Sequence, residues 1–191
     1  MRTLTRFFVV ACAATLGLSA VAQQPAPRTP PTAPGAPAQP DGAPKAVTDA
    51  EFVTKAASSG MFEVQSSKMA TEKATKADVK AFAEHMVQDH TKANDQLKAA
   101  AAKAGIPVPG TMLPMHEKLL DNLKTAQNFD ATYMSEQLKA HENAVALFSA
   151  ASNSVKDPGL RAFAEKTLPT LKMHLEHAKK AAGTGTRTGG R

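Results

Sequence analysis

Apolar residues recur every three to four positions over four long stretches of this chain, and no sustained alternation of apolar and polar residues competes with that pattern. In Asp78–Ala104, Val79, Phe82, Ala83, Met86, Ala93 and Leu97 fall on one stripe of a helix turning about 100° per residue. His90 lies inside that stripe, between Met86 and Leu97, whereas His85 lies on its flank. An earlier helix is predicted to begin at Thr48, where Glu51 three residues on completes a capping box. It runs to about Ala74 with Phe52, Ala56, Gly60, Ser67, Ala70 and Ala74 on one side, and Gly60 weakens it. Thr75, with Asp78 three residues later, is expected to cap the next helix, and so short a turn packs the two antiparallel.

Gly105-Ile106-Pro107-Val108-Pro109-Gly110 ends the second helix, and Pro114–Gln127 reads as a shorter helix opened by proline. Phe129–Val155 carries its stripe on Met134, Leu138, Val145 and Phe148. Asp157 is expected to cap a last helix with Leu160, Ala164, Leu171, Leu175 and Ala178 on its stripe, and Pro169 to kink it. Four long helices, two tight turns and one long middle connection predict an all-α fold. It is an antiparallel four-helix bundle, ferritin-like, with the short extra helix in the crossover between the second and third long helices. A plain up-down-up-down bundle is the alternative.

The ends of the chain read differently. Arg2 and Arg6 precede an apolar run from Phe7 to Ala20, and Ala20-Val21-Ala22 forms a small-x-small cleavage site, so residues 1–22 are expected to be a signal peptide. The run is short of the roughly 20 residues that span a bilayer, so no transmembrane helix is expected in the mature chain. The sequence has one cysteine, Cys12, which leaves with that peptide. Residues 23–44 are proline-rich and read as an extended linker, a tether or a contact with the envelope or cell wall, and residues 183–191 as a disordered tail. Residues 45–182 remain as one helical domain, and the expected location is periplasmic or secreted, with outer-membrane association a further expectation.

Charge narrows the function. The whole chain carries a net +6, but residues 45–182 hold 18 Lys+Arg against 16 Asp+Glu, interspersed along the helices. With no tryptophan, one tyrosine and no basic stripe, a nucleic-acid partner is not expected.

Several segments together carry a family resemblance. They are Asp49-Ala50-Glu51-Phe52-Val53, Phe62-Glu63-Val64, Val79-Lys80-Ala81-Phe82-Ala83, and Met86-Val87-Gln88-Asp89-His90 with Asn94. Phe129-Asp130 with Tyr133, His141, and Leu168-Pro169-Thr170-Leu171 with His174 complete the set. The chain thereby resembles the exported bacterial family known as domain of unknown function 4142. The resemblance implies a ferritin-like helical bundle in the periplasm or outer envelope and leaves activity open.

One polar side chain stands mid-helix on or beside the apolar face of each long helix: Glu63, His90, His141 and His174. Glu63 lies about 12 residues before the first turn and His90 about 15 after it. His141 lies about 15 before the turn near Lys156 and His174 about 18 after it, so each pair shares a level to within roughly one turn. One carboxylate and three imidazoles at one level form a candidate metal site for zinc, copper or iron. The other reading is a buried hydrogen-bond network among these residues, Asn94 and Gln137. No Glu-x-x-His pair exists, because Val87, Leu138 and Leu171 stand three residues before the histidines, so di-iron chemistry is not expected. Met112-Leu113-Pro114-Met115-His116 reads as loop packing or a weak copper site, and His85, His116 and His177 as neutral positions. The functions that follow are an exported structural or stress-related envelope module, alternatively a periplasmic metal-binding protein, and thirdly a metal-dependent enzyme at the same site.

The exported protein should begin at Gln23. Intact-mass measurement of the chain recovered from the periplasm or medium checks this, and retained Met1 or a lipid on Cys12 would contradict it.

Overall fold

The structure, a computed structural model, describes residues 45–181, all within the unit Pro40–Arg191. The expected signal peptide, linker and tail lie outside the described residues. Five helices make up the described part, with no strand among them: α1 Asp49–Lys73, α2 Ala77–Lys103, α3 Pro114–Lys124, α4 Phe129–Ser154 and α5 Pro158–Ala181. Their ends fall within three residues of the predicted ones. None is long and apolar enough to cross a membrane.

Local chemistry explains the ends. Thr48 and Glu51 form the reciprocal capping box at the start of α1. Gly105, at φ 69°, closes α2. Gly105 N–H bonds Ala102 O and Ile106 N–H bonds Ala101 O, the Schellman pattern in which glycine takes the left-handed position without strain. Asp157 Oδ1 accepts from Leu160 N–H at 2.8 Å and starts α5, as expected. Gly60 does not interrupt α1. It faces α2, where a β-carbon would collide with the Asn94 side chain, so the absent side chain is what lets the two helices approach.

The start of α2 differs from expectation. Lys76 is the N-cap and has no side-chain cap, and Asp78 accepts only from the neighbouring Val79 N–H. The acceptor is Asp130, from the first turn of α4: its carboxylate takes Thr75 N–H, Lys76 N–H and the Thr75 hydroxyl at 2.8–3.1 Å. Burial opposes the charge on Asp130, but these bonds outweigh it and hold its pKa below the ordinary value. At the other end Asp49, in the first turn of α1, takes Lys156 N–H at 2.7 Å and Asp157 N–H at 3.0 Å. Each hairpin, α1–α2 and α4–α5, therefore offers its first carboxylate to the turn of the other.

That reciprocity follows an internal repeat. Asp130 follows Asp49 by 81 residues, and the turns Thr75-Lys76 and Lys156-Asp157 are separated by the same interval. Ala81-Phe82-Ala83-Glu84 recurs as Ala162-Phe163-Ala164-Glu165 at that spacing. Buried positions pair likewise: Phe52 with Tyr133, Val53 with Met134, Val79 with Leu160, Leu97 with Ala178.

The long helices pack α1 on α2, α4 on α5, α1 on α4 and α2 on α5, while α3 lies against α1 and α4. Phe52, Phe148 and Phe163 meet at centroid distances of 5.1–6.2 Å in one apolar cluster, and Phe82, Met86, Tyr133 and Leu123 anchor another. Fully burying each such side chain contributes about 1.5–3 kcal/mol. Along every long helix the two clusters are separated by buried polar residues: Glu63, Ser66 and Ser67 on α1, His90 on α2, Gln137 and His141 on α4, His174 on α5.

Asp49→Ala and Asp130→Ala should each destabilise by about 1–3 kcal/mol through stranded backbone N–H groups. The clasps lie at opposite ends of helices about 37 Å long, so the double variant should be additive. Urea melts check both, and strong non-additivity would mean the clasps are not separate.

Candidate metal centre

Three histidines from three helices converge in the polar layer. His90 of α2, His141 of α4 and His174 of α5 are all buried, and their ring centroids lie 5.4–5.5 Å apart. One nitrogen from each lies within 4.8 Å of the other two. Each helix presents its histidine inward for the reason its neighbours are inward: His90 continues the Phe82–Met86 face, His141 the Met134–Gln137 face and His174 the Leu171–Ala178 face.

Outer hydrogen bonds decide which nitrogen two of the rings offer. His141 Nδ1–H donates to Gln137 O at 2.9 Å, leaving Nε2 as the lone-pair nitrogen. His174 Nε2–H donates to Asp89 Oδ2 at 3.0 Å, leaving Nδ1. The nitrogens left over, His141 Nε2 and His174 Nδ1, are buried without a partner, and so is His90 Nε2. Buried polar atoms are rarely orphaned, and three in one cluster point to a missing common partner.

The electrostatics agree. Burial, with the neighbouring His141 and His174 adding to it, holds the pKa of His90 well below 6.5. Burial lowers His141 to about 4, against the opposing bond to Gln137, and burial also lowers His174 in spite of Asp89. All three rings are therefore neutral at pH 7, the state a metal requires. Three imidazole nitrogens at tetrahedral metal distances of about 2.0–2.1 Å stand about 3.4 Å apart, so nitrogens within 4.8 Å of one another need close by at most roughly 1.4 Å to hold one ion. Three neutral nitrogen donors fit zinc, copper or iron.

Glu63 sits apart from the trio. Its Oε1 lies 3.8 Å from His141 Nδ1, the nitrogen turned to Gln137 O. Neither carboxyl oxygen has a hydrogen-bond partner among the described residues. The Gln137 amide donates to Ser66 Oγ at 3.0 Å. Burial pushes Glu63 up to about 8, so the carboxyl is mainly protonated at pH 7. The structure thus brings together His90, His141 and His174, and places Glu63 behind one of them.

One contributor was not read from the sequence. Asp89, half-exposed, links His174 to the surface. Its signal was its place directly before His90 on α2, in the segment Met86-Val87-Gln88-Asp89-His90. His116 packs in the interior, in line with the packing reading of Met112–His116: its Nδ1 meets Ser58 Oγ at 2.6 Å, its ring stacks on Phe62, and Leu113 N–H also bonds Ser58 Oγ. That clip fastens the start of α3 to α1. His85 and His177 are exposed, as expected.

Residues 32–181 match the model of a family described as Domain of unknown function (DUF4142). The chain belongs to that family. This DUF4142 domain is similar in fold to CopM in its Cu(II)-bound form, with a TM-score of 0.62 at 22% identity over 72% of this chain and 97% of that one. It is also similar to a DUF305 fragment from Deinococcus radiodurans, with a TM-score of 0.61 at 15% identity over 70% of this chain and 94% of that one. CopM in the apo form gives a TM-score of 0.58 at 22% identity, over 70% of this chain and 95% of that one. No curated protein matches the sequence. At these identities the likeness concerns the fold.

The pKa shifts predict two opposed pH limits for the metal-free DUF4142 domain. Its histidines take up protons later than those of the unfolded chain, so their contribution is full above about 6.5 and is lost as pH falls through about 4 for His141. Glu63, raised from 4.5 to about 8, contributes fully below 4.5 and loses that contribution as pH rises through 8. Urea melts of wild type and Glu63→Gln from pH 5 to 9 should show the variant gaining on the wild type as pH rises. A constant gap would show that Glu63 does not titrate in this range.

Proposed function

We propose that the protein is an exported helical module that binds one transition-metal ion between α2, α4 and α5, with His90, His141 and His174 as ligands. The observation that carries this reading is the convergence of three buried, neutral, unpartnered imidazole nitrogens. A hydrogen-bond network, the other expectation, accounts for it less well, because the rings turn their bonded nitrogens outward, to Gln137 and Asp89, and leave the unbonded ones unpaired. Copper is the first metal to test, because CopM, a neighbour in fold, is known in Cu(II)- and Cu(I)-bound forms. Glu63 stands as an outer residue behind His141. The packing of α1 on α4 and α2 on α5, together with the long connection through α3, supports a ferritin-like four-helix bundle.

The leader read in residues 1–22 supports delivery to the periplasm, and the proline-rich residues 23–44 a tether toward the envelope. Binding or buffering of metal there is the function that these features support. The two carboxyls that touch the histidines, Glu63 on His141 and Asp89 on His174, are outer partners in this reading, which includes no particular reaction.

Untagged protein should retain metal through purification or take up one equivalent of copper, zinc or iron. A ligand at one hundred times its Kd stabilises the folded state by about 2.7 kcal/mol, a rise on the order of 10 °C in melting temperature for a domain of this size. His90→Ala, His141→Ala and His174→Ala should each abolish that rise, and His85→Ala and His177→Ala should leave it intact. No shift with any of the three metals, together with no metal by elemental analysis, would leave the trio as a core network.

A further inference from the structure

The seam between α2 and α5 carries two histidines that the trio does not use. Asp89 of α2 meets His174 of α5 at 3.0 Å, and the ring of Phe82 on α2 meets that of His177 on α5 at a centroid distance of 4.7 Å. Residue numbers fall along α2 as they rise along α5, so the two helices run antiparallel across this seam. His85 lies between Phe82 and Asp89, about one turn from each, and so stands level with the turn from His174 to His177. Four residues also place His85 about 40° from Asp89 around α2, on the same face of the helix. Burial is the main reason that His174 resists a proton, and the nearby His177 and His85 add to it. His85 and His177 are exposed, and Asp89 is half-exposed between them and the buried trio. Asp89 uses Oδ2 toward His174 and keeps Oδ1 for another partner. On the other side of Asp89 the seam continues as a groove lined by Lys92 and Lys166, whose charges oppose a cation there.

Two imidazoles and a carboxylate are a donor set for a divalent transition metal such as copper or zinc. We propose that His85, Asp89 and His177 hold a second metal ion at the surface of the α2–α5 seam, outside the trio and joined to it through the hydrogen bond from His174 to Asp89. Among the described residues only the trio has its donor atoms already within 4.8 Å of one another. The outer ion draws its ligands together by rotation of exposed side chains, at a cost in their rotamer freedom, and is the weaker of the two. The proposal is independent of the three-histidine reading, because none of its ligands belongs to the trio. Where the trio also binds, it fills first, so the rise in melting temperature at one equivalent does not report on His85 or His177.

The test titrates the full exported chain with Cu(II) at pH 7 by equilibrium dialysis, with elemental analysis to count the ions bound. The wild type should take up a second, weaker ion after the first. His85→Ala and His177→Ala alter exposed side chains and should fold as the wild type does. Each should weaken the second ion by about tenfold or more, because removing one donor removes the chelate, and should leave the first unchanged. Asp89→Asn keeps an acceptor for His174 and should weaken the second ion as well. His141→Ala should lose the ion of the trio and keep the outer one. A wild type without the second ion overturns the proposal, and so does a second ion held undiminished by both His85→Ala and His177→Ala. Loss of only half of the weak binding in each of these variants would mean two separate imidazoles rather than one site, and overturns it too. An ion that depends on His85 and His177, with none that depends on His141, would overturn the three-histidine reading and leave this one standing.

Discussion

A helix begins with backbone N–H groups that its own turns cannot satisfy, and here the two hairpin turns hand that need across to each other. Asp130 holds the turn between α1 and α2, and Asp49 holds the turn between α4 and α5. Because a helix rises about 1.5 Å per residue, fixing α4 against the turn of α1–α2, and α1 against the turn of α4–α5, fixes the level of everything between. Slipping one hairpin by a single turn would break both clasps and carry His90 away from His141 and His174. The chemistry in the middle of the domain therefore depends on carboxylates at its ends.

Between those ends the domain carries a polar layer enclosed by two apolar clusters. Taking imidazoles, a carboxyl and an amide out of water opposes folding unless they stay neutral or find partners. They do both. Glu63 is held protonated and the histidines deprotonated, Gln137 bonds Ser66, and Tyr133 shares a 2.9 Å bond with Ser67, its hydroxyl pKa raised by burial. Three buried ring nitrogens of the trio, His90 Nε2, His141 Nε2 and His174 Nδ1, remain without a partner. A layer so nearly neutral accommodates a cation as a substantial change in local charge, with Asp89 and Glu63 as the nearest acids in contact with the histidines.

Much of this was legible in the sequence, because periodicity reports what each helix buries. The four stripes, the capping box at Thr48, the cap at Asp157 and the inward placement of His90, His141 and His174 all follow from local spacing. What was not legible involves partners distant along the chain. Asp130 serves a turn 55 residues earlier and Asp49 one 107 residues later, so local reading assigned the first of those roles to Thr75 and Asp78. Ser58 takes hold of His116 across 58 residues, a partner that the packing reading of Met112–His116 did not name. Level and face placed Glu63 near the histidines, but the side of His141 on which it lies depends on a ring rotamer, which spacing does not encode. The 81-residue repeat was present in the letters, in Ala-Phe-Ala-Glu twice, but it acquires meaning only when the two Asp clasps are seen to obey it.

The distribution of the histidines between the hairpins has a mechanical consequence. His90 belongs to the first hairpin, His141 and His174 to the second, and the helical domain contains no cysteine. An ion shared by these three is a cross-link, tying residues 90, 141 and 174 as disulfides would. In chain-entropy terms, closing loops of 51 and 33 residues restricts the unfolded chain by roughly 4 kcal/mol each. Unlike a disulfide, such a tie would respond to the free metal concentration around it and would open without any change in redox state. Loss of the ion would loosen the docking of one hairpin on the other while leaving each hairpin's own packing intact.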